Sequence, residues 1–223
     1  MARPTASKPR PACRAATLCR RREEILTAAI HLFAEHGYAG TDTQLLADKL
    51  QVGKGTLYRY FQSKEELFLA AVDSILRQMH DRIDACQTTI PDPLEQIRQV
   101  ILAYLTFFAE HPEFVELLIQ ERALFKDRGT PTYFQQRERT VERRREQYRR
   151  LIADGRVRPM PPERITDVVS DLVYGTMFTN YFANRAPNPA AQVEAILDVV
   201  WNGILSEPER RKQLSQQLTR QGS

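Results

Sequence analysis

Gly53-Lys54-Gly55-Thr56 has the residue types to hold a phosphate in this 223-residue chain. Glycine lets a backbone approach an anion, lysine supplies charge, and threonine supplies a hydroxyl. A nucleotide-binding loop needs G-x-x-x-x-G-K-[ST] between a strand and a helix. Here the residue five before Gly53 is Asp48, and the residue after Lys54 is Gly55. The segment before it reads as helix, so spacing and context both reject the nucleotide and leave the phosphates of a nucleic acid. The other reactive side chains are scattered. His31, His36, His80 and His111 form no metal-ligand spacing, and "HLFAEH" is not H-E-x-x-H. Cys13, Cys19 and Cys86 make no C-x-x-C pair, which suits a reducing compartment rather than a disulfide framework. With no nucleophile elbow and no dinucleotide loop, no enzyme, metal site or cofactor is expected.

A phosphate-contacting segment must be aimed by its neighbours. Ile25, Ala28, Ala29, Leu32 and Phe33 recur at helical spacing from residue 21, and Gly37 supplies a stop. A short helix follows over about 43–50, with Asp42 as N-cap and Leu46, Ala47 and Leu50 inward. After Gln51-Val52-Gly53 comes another, about 54–60, which turns Leu57 and Phe61 inward. Lys54, Thr56, Tyr58, Arg59 and Tyr60 are left toward solvent or the flanks. Ser63 and Glu66 form a capping box for the next helix, which carries Leu67, Phe68, Ala71, Val72 and Ile75. Two short helices joined by three or four residues, the second with a polar outer face, predict a helix-turn-helix. Lysine and arginine neutralise phosphates, and hydroxyls donate to phosphate oxygens.

Charge placement agrees. Residues 1–72 hold 11 Lys and Arg against 7 Asp and Glu, whereas residues 73–223 hold 21 of each. The whole net charge of +4 therefore sits at the N-terminal end, a basic pole suited to a polyanion, either nucleic acid or an anionic membrane surface. Residues 1–20, rich in Pro, Ala and Arg, read as a disordered basic arm, and the stretch from Arg3 to Arg22 solubilises or adds DNA contacts through Lys8, Arg10, Arg14, Arg20 and Arg21. No apolar run is long enough to span a membrane. A cytoplasmic protein without a membrane partner is expected.

The remainder predicts long helices over about 92–111, 113–126, 131–153, 163–185 and 189–206, then a polar tail over 207–223. No β alternation appears, so the fold class is all-α. Helix 163–185 carries Val168, Val169, Leu172, Val173 and Met177, and helix 189–206 carries Val193, Leu197, Val199, Val200 and Trp201. Both are apolar over more than one face and need cover on more than one side, from a partner chain or from a monomeric core. Tyr104, Phe107, Phe108, Phe114, Leu118, Phe125, Tyr148, Tyr174 and Phe178 supply bulk for a ligand cavity or for a plain core. Glu121 and Arg122 are charged candidates to orient a ligand, or a surface pair. The run Arg137 to Arg150 reads as the solvated face of a helix whose inward row is Phe134, Val141 and Tyr148.

Residues 21–72 resemble the DNA-binding domain of the tetracycline-repressor (TetR) family. The resemblance rests on "ILTAAIHLFAEHGY", "T-x-x-x-L-L-A", "V-x-K-G-T-LYRYF" and "SKEELF". It implies a helix-turn-helix domain over 21–68 and a helical ligand-binding and dimerisation domain over 69–206, nine to ten helices in all. It also implies a homodimer joined through the helices at about 163–185 and 189–206. The expected function is a regulator, usually a repressor, that binds a pseudo-palindromic double-stranded DNA operator and is released by a small lipophilic or aromatic effector. By position, Thr43 and Gln44 would touch phosphate or a base edge. Lys54, Gly55 and Tyr58 would read the major groove, Thr56, Tyr60 and Lys64 would meet backbone, and Arg59 would reach phosphate or guanine. The turn departs from the family pattern at two places. Gln51 stands where the family has glycine and must tolerate left-handed geometry or reshape the turn. Gly53 stands where a capping serine is usual. These departures motivate the alternative of a helical ligand-binding or scaffold protein whose helix-turn-helix no longer reads DNA.

Overall fold

In the computed structural model, which describes residues 11–87 and 90–202, helix α1 spans Pro11–Gly40 and begins ten residues before the hydrophobic period does. This corrects the expectation of a disordered arm over residues 11–20. Ala12, Ala15, Ala16 and Leu18 are strong helix formers, and Pro11 suits a first turn where its missing N–H is not needed. Residues 1–10 and the tail over 207–223 lie outside the described residues. Gly37 breaks the helical backbone where a stop was expected, at φ 70°, ψ 168°.

The described residues hold nine helices and no strand. After α1 come α2 (Thr43–Lys49), α3 (Lys54–Tyr58) and α4 (Lys64–Gln87). Then follow α5 (Pro93–Glu110), α6 (Pro112–Leu124), α7 (Thr132–Ala153), α8 (Pro162–Phe182) and α9 (Pro189–Asn202). Their limits have local causes. Asp92 caps α5 by accepting from the Glu95 N–H at 3.2 Å. Proline opens α5, α6 and α8. Gly155, at φ 69°, closes α7, with the Arg156 N–H donating back to the Leu151 carbonyl at 2.9 Å. Asn184, at φ 45°, closes α8 in the same left-handed manner without glycine. No helix of the described residues is long and apolar enough to cross a membrane.

Helices α1–α3 and the start of α4 form a head around Ile25, Leu26, Phe33, Leu46, Leu57, Phe61 and Phe68, all buried. Burying each such side chain contributes about 1.5–3 kcal/mol. Helix α4 then continues into the body, where Leu76, Met79 and Ile83 are buried. The body packs α5 on α4, α8 and α9, and α7 on α4 and α8. Helix α6 packs against both α1 and α4 and so closes the junction. There Phe33, Tyr38, Phe68 and Phe125 form one ring cluster, with the Tyr38 and Phe68 centroids 5.2 Å apart and those of Tyr38 and Phe125 5.3 Å apart. The Tyr38 backbone N–H donates to Gln120 Oε1 at 2.9 Å, a polar tie from head to body.

Candidate nucleic-acid interface and an adjoining cavity

Helices α2 and α3 meet through a left-handed turn. Gln51 adopts φ 53°, its N–H donates to the Asp48 carbonyl at 3.0 Å, and the Val52 N–H donates to the Ala47 carbonyl at 2.9 Å. This pair of bonds is the Schellman motif that glycine usually closes. Gln51 therefore tolerates the family geometry rather than reshaping the turn, at a strain of about 1–2 kcal/mol. Gly53 caps α3 without a side-chain bond, as its lack of a hydroxyl dictates. Asp42 caps α2 by accepting from the Gln44 N–H at 2.8 Å, a bond that holds its carboxyl below the usual range. Ser63 Oγ accepts from the Glu66 N–H at 3.0 Å, while the Glu66 carboxylate reaches the Gln62 N–H at 2.7 Å, one residue before the expected partner.

Most of the nine expected DNA-facing residues share one outer flank. Tyr58 is 44% exposed and Arg59 is exposed. Gln44 is exposed on α2, its amide donating to Asp48 at 2.7 Å. Lys54 and Thr56 are half-buried, and Lys54 Nζ rests 3.4 Å from Asp42 Oδ1. A Cβ added at Gly53 or Gly55 would meet nothing within 4 Å, so the fold itself does not demand glycine there. Thr43, Tyr60 and Lys64 sit differently. Thr43 is buried, with its hydroxyl 3.3 Å from that of Tyr58. It therefore positions Tyr58 instead of presenting its own side chain. Tyr60 packs on the core, and the α-helix ends at Tyr58 rather than at residue 60. Lys64 Nζ lies over the Tyr38 ring at 4.6 Å and donates to the Ala39 carbonyl at 3.4 Å. Of the arm's arginines, Arg21 is half-buried and bonds the Leu50 carbonyl at 3.2 Å and Glu24 at 2.6 Å, so it braces the turn.

A cavity of about 80 Å³ lies in the body. Helix α4 lines it with Leu76, Met79, His80 and Ile83, and α5 with Val100, Ile101 and Tyr104. The far wall is Tyr133, Arg137 and Arg144 of α7 with Val169, Ser170 and Val173 of α8. Tyr104 donates to or accepts from the Tyr133 hydroxyl at 3.2 Å, and burial pushes both phenols up. His80 Nδ1 is 2.7 Å from the Leu76 carbonyl, and burial lowers its pKa, which favours the neutral ring.

Of the eleven expected ligand-facing residues, Tyr104 alone lines this cavity. Tyr174 and Phe178 stack behind its wall, the Tyr174 ring 4.6 Å from Tyr133. Phe107 and Phe114 are core, flanking His111. Leu118 is buried in the core, and Phe125 belongs to the junction cluster. Phe108 lines a separate groove with Met177 and Tyr181. Tyr148 lines an open groove of about 630 Å³ that also takes in Val168, Val199 and Trp201. Glu121 is turned to internal work. One carboxylate oxygen accepts from the Thr132 N–H at 2.9 Å, the Thr132 hydroxyl at 2.6 Å and Arg128 at 2.8 Å. Arg122 is exposed, so the two are neither a ligand clamp nor a surface pair. The inward row of α7 also needs correcting. Phe134 is 37% exposed, and the buried side holds Val141, Tyr148 and Leu151, with Tyr133, Arg137 and Arg144 on the cavity. The spacing 133, 137, 144, 148, 151 was the available signal for these polar linings, and the charge run concealed it.

A family model described as bacterial regulatory proteins, tetR family, matches residues 25–71. The chain is 29% identical over 160 residues to the uncharacterized HTH-type transcriptional regulator YhgD of Bacillus subtilis, covering 71% of this chain and 83% of that protein. It is 28% identical over 102 residues to the HTH-type transcriptional repressor NicS of Pseudomonas putida, covering 46% of this chain and 48% of that one, about half of each. Among solved structures it is similar to a TetR-family transcriptional regulator from Pectobacterium atrosepticum, with TM-score 0.66, 26% identity and 86% and 97% of the two chains covered. It is also similar in fold to the fatty acid degradation regulator FadR from Bacillus halodurans, with TM-score 0.69 at 16% identity, covering 89% and 98%.

Proposed function

Because this chain belongs to the TetR family, whose members are helix-turn-helix transcriptional regulators, we propose that it acts in the cytoplasm as a homodimeric repressor released by a small effector. What supports the reading is the division of its surface. The flank of Gln44, Lys54, Tyr58 and Arg59 is polar and cationic, while Val168 and Leu172 of α8 and Val199 and Trp201 of α9 are large apolar side chains left exposed. An apolar patch of that kind calls for cover. Two α8–α9 pairs, one from each copy, would supply it as a four-helix interface. Two recognition helices would then face half-sites about 34–36 Å apart, or a multiple of that. The effector would enter the body and act through α4, which runs from the cavity to the head. It must bind one head separation better than the other, because equal affinity shifts nothing.

Selection of bound sequences from random DNA, with sedimentation velocity at micromolar protein, tests this. A dimer and an enriched pseudo-palindrome are expected. Leu172→Glu places a charge in the apolar face, so it should yield monomers and weaken operator binding by roughly a hundredfold or more, since paired half-site contacts are lost. A solitary wild-type subunit at these concentrations, or no enriched pseudo-palindrome, overturns the reading.

A further inference from the structure

Arg144 is the exception among the half-buried arginines of its helix; Arg139, which also lacks a carboxylate among the described residues, is exposed. Arg143, Arg145, Arg149 and Arg150 of α7 each have a carboxylate within ion-pair distance. Arg144 has none among the described residues. Its Nε is sealed from solvent without an acceptor, and its Nη2 reaches just the Arg137 carbonyl at 3.5 Å. Arg137, the other cation on the cavity, already engages Asp171 at 3.1 Å and Asp167 at 3.3 Å. The cavity lining contains no Asp or Glu. His80 adds no counter-charge, being an imidazole whose Nδ1 lies on the Leu76 carbonyl.

A guanidinium cannot shed its proton inside a protein, so a shielded one costs free energy until something compensates it. Burial accordingly disfavours the charged form of Arg144. A single uncompensated positive charge calls for a single negative one. The rest of the lining is mostly aliphatic and so calls for an apolar body.

We propose that the cavity binds a small monocarboxylate, its apolar body among Met79, Ile83, Ile101 and Val173 and its carboxylate on the planar fork of Arg144. This rests on the reading that the body holds the effector site, and it names the effector's chemical class. A carboxylate can accept two parallel N–H bonds from such a fork, which a neutral lipophile cannot do. A doubly charged phosphate would leave one charge unmatched. The cavity of about 80 Å³ falls below the usual size of a ligand pocket, so an occupant must also part the helices around it.

Calorimetric titration and thermal melting of the full chain with benzoate and octanoate, against benzyl alcohol and octanol, tests the assignment. The carboxylates should raise the melting temperature and bind at least about tenfold more tightly than the matching alcohols. Arg144→Met should erase that preference while keeping the weaker alcohol binding. Without ligand, this variant should melt at the wild-type temperature or above it, because the uncompensated charge is gone. Alcohols that match carboxylates would overturn the headgroup assignment and leave the pocket itself standing. A marked fall in the melting temperature of Arg144→Met would make Arg144 a structural residue and overturn the proposal. Binding of neither class would overturn it too, and operator selection would still decide the regulator reading independently.

Discussion

Among the described residues, the buried polar side chains of the head are Thr41 and Thr43, whereas those of the body include the carboxylate of Glu121 and the amide of Gln136. In the head, both hydroxyls serve the backbone or a neighbour. Thr41 Oγ1 donates to the Gly37 carbonyl at 2.7 Å, and Thr43 meets Tyr58. The head keeps its charge outside and its interior apolar, which suits a rigid module that presents one face. The body carries carboxylate, amide, phenol and guanidinium groups inward and accepts the cost of desolvating them. Most are paired within the chain, as Gln136 is with Asp73 at 2.5 Å. Two guanidinium nitrogens of α7 are left without a partner among the described residues, Nε of Arg144 on the cavity and Nε of Arg145 outside its lining, and of the two arginines Arg144 alone has no carboxylate. The difference teaches where to look for external chemistry: outside the head and inside the body.

Three substitutions would break or sharpen this contrast. Phe68→Ala strikes the side chain shared by both regions, which contacts Phe33, Tyr38 and Phe125. A loss of about 3–5 kcal/mol is expected by chemical denaturation. If head and body are mechanically joined, a single transition should shift; two separated transitions would show that the junction does not couple them. Glu121→Gln tests the body's internal polar economy. Its oxygen serves Thr132 and Arg128, so exchange for an amide should cost about 1.5–3 kcal/mol, whereas an unchanged melting curve would place those contacts in solvent-like surroundings. Gln51→Gly tests the head and should stabilise by about 1 kcal/mol, because glycine reaches φ 53° without steric cost. Operator affinity should stay unchanged; a change would mean that Gln51 itself touches DNA.

The head was legible in its sequence because its signals are local. Asp42, Ser63 and Gly37 punctuate helices within three or four residues of the groups they satisfy. Leu57 and Phe61 mark which side of α3 is buried, and so which side is free. The early start of α1 was not legible, because alanines leave no apolar period to detect. The cavity was not legible for a different reason. Periodicity says that Phe107, Phe114 and Leu118 face inward, but which inward residues meet a void depends on how α4, α5, α7 and α8 are spaced. Arginine at positions 137 and 144 reads as solvent-facing until neighbouring helices close over it. The fold and the interface thus follow from chain-local patterns, and the cavity from packing.

Gly37 carries a double burden. Its φ of 70° turns the chain away from the helix axis, and the next amide in line, that of Tyr38, is thereby left to reach Gln120 of α6. One residue's torsion thus both kinks α1 and sets the bracket on which the two halves hang. Any side chain at that position would meet strain in the backbone even though the space around it is open, the nearest atom being Gln120 Nε2 at 4.0 Å. The relative tilt of head and body is therefore held in part by a torsion angle.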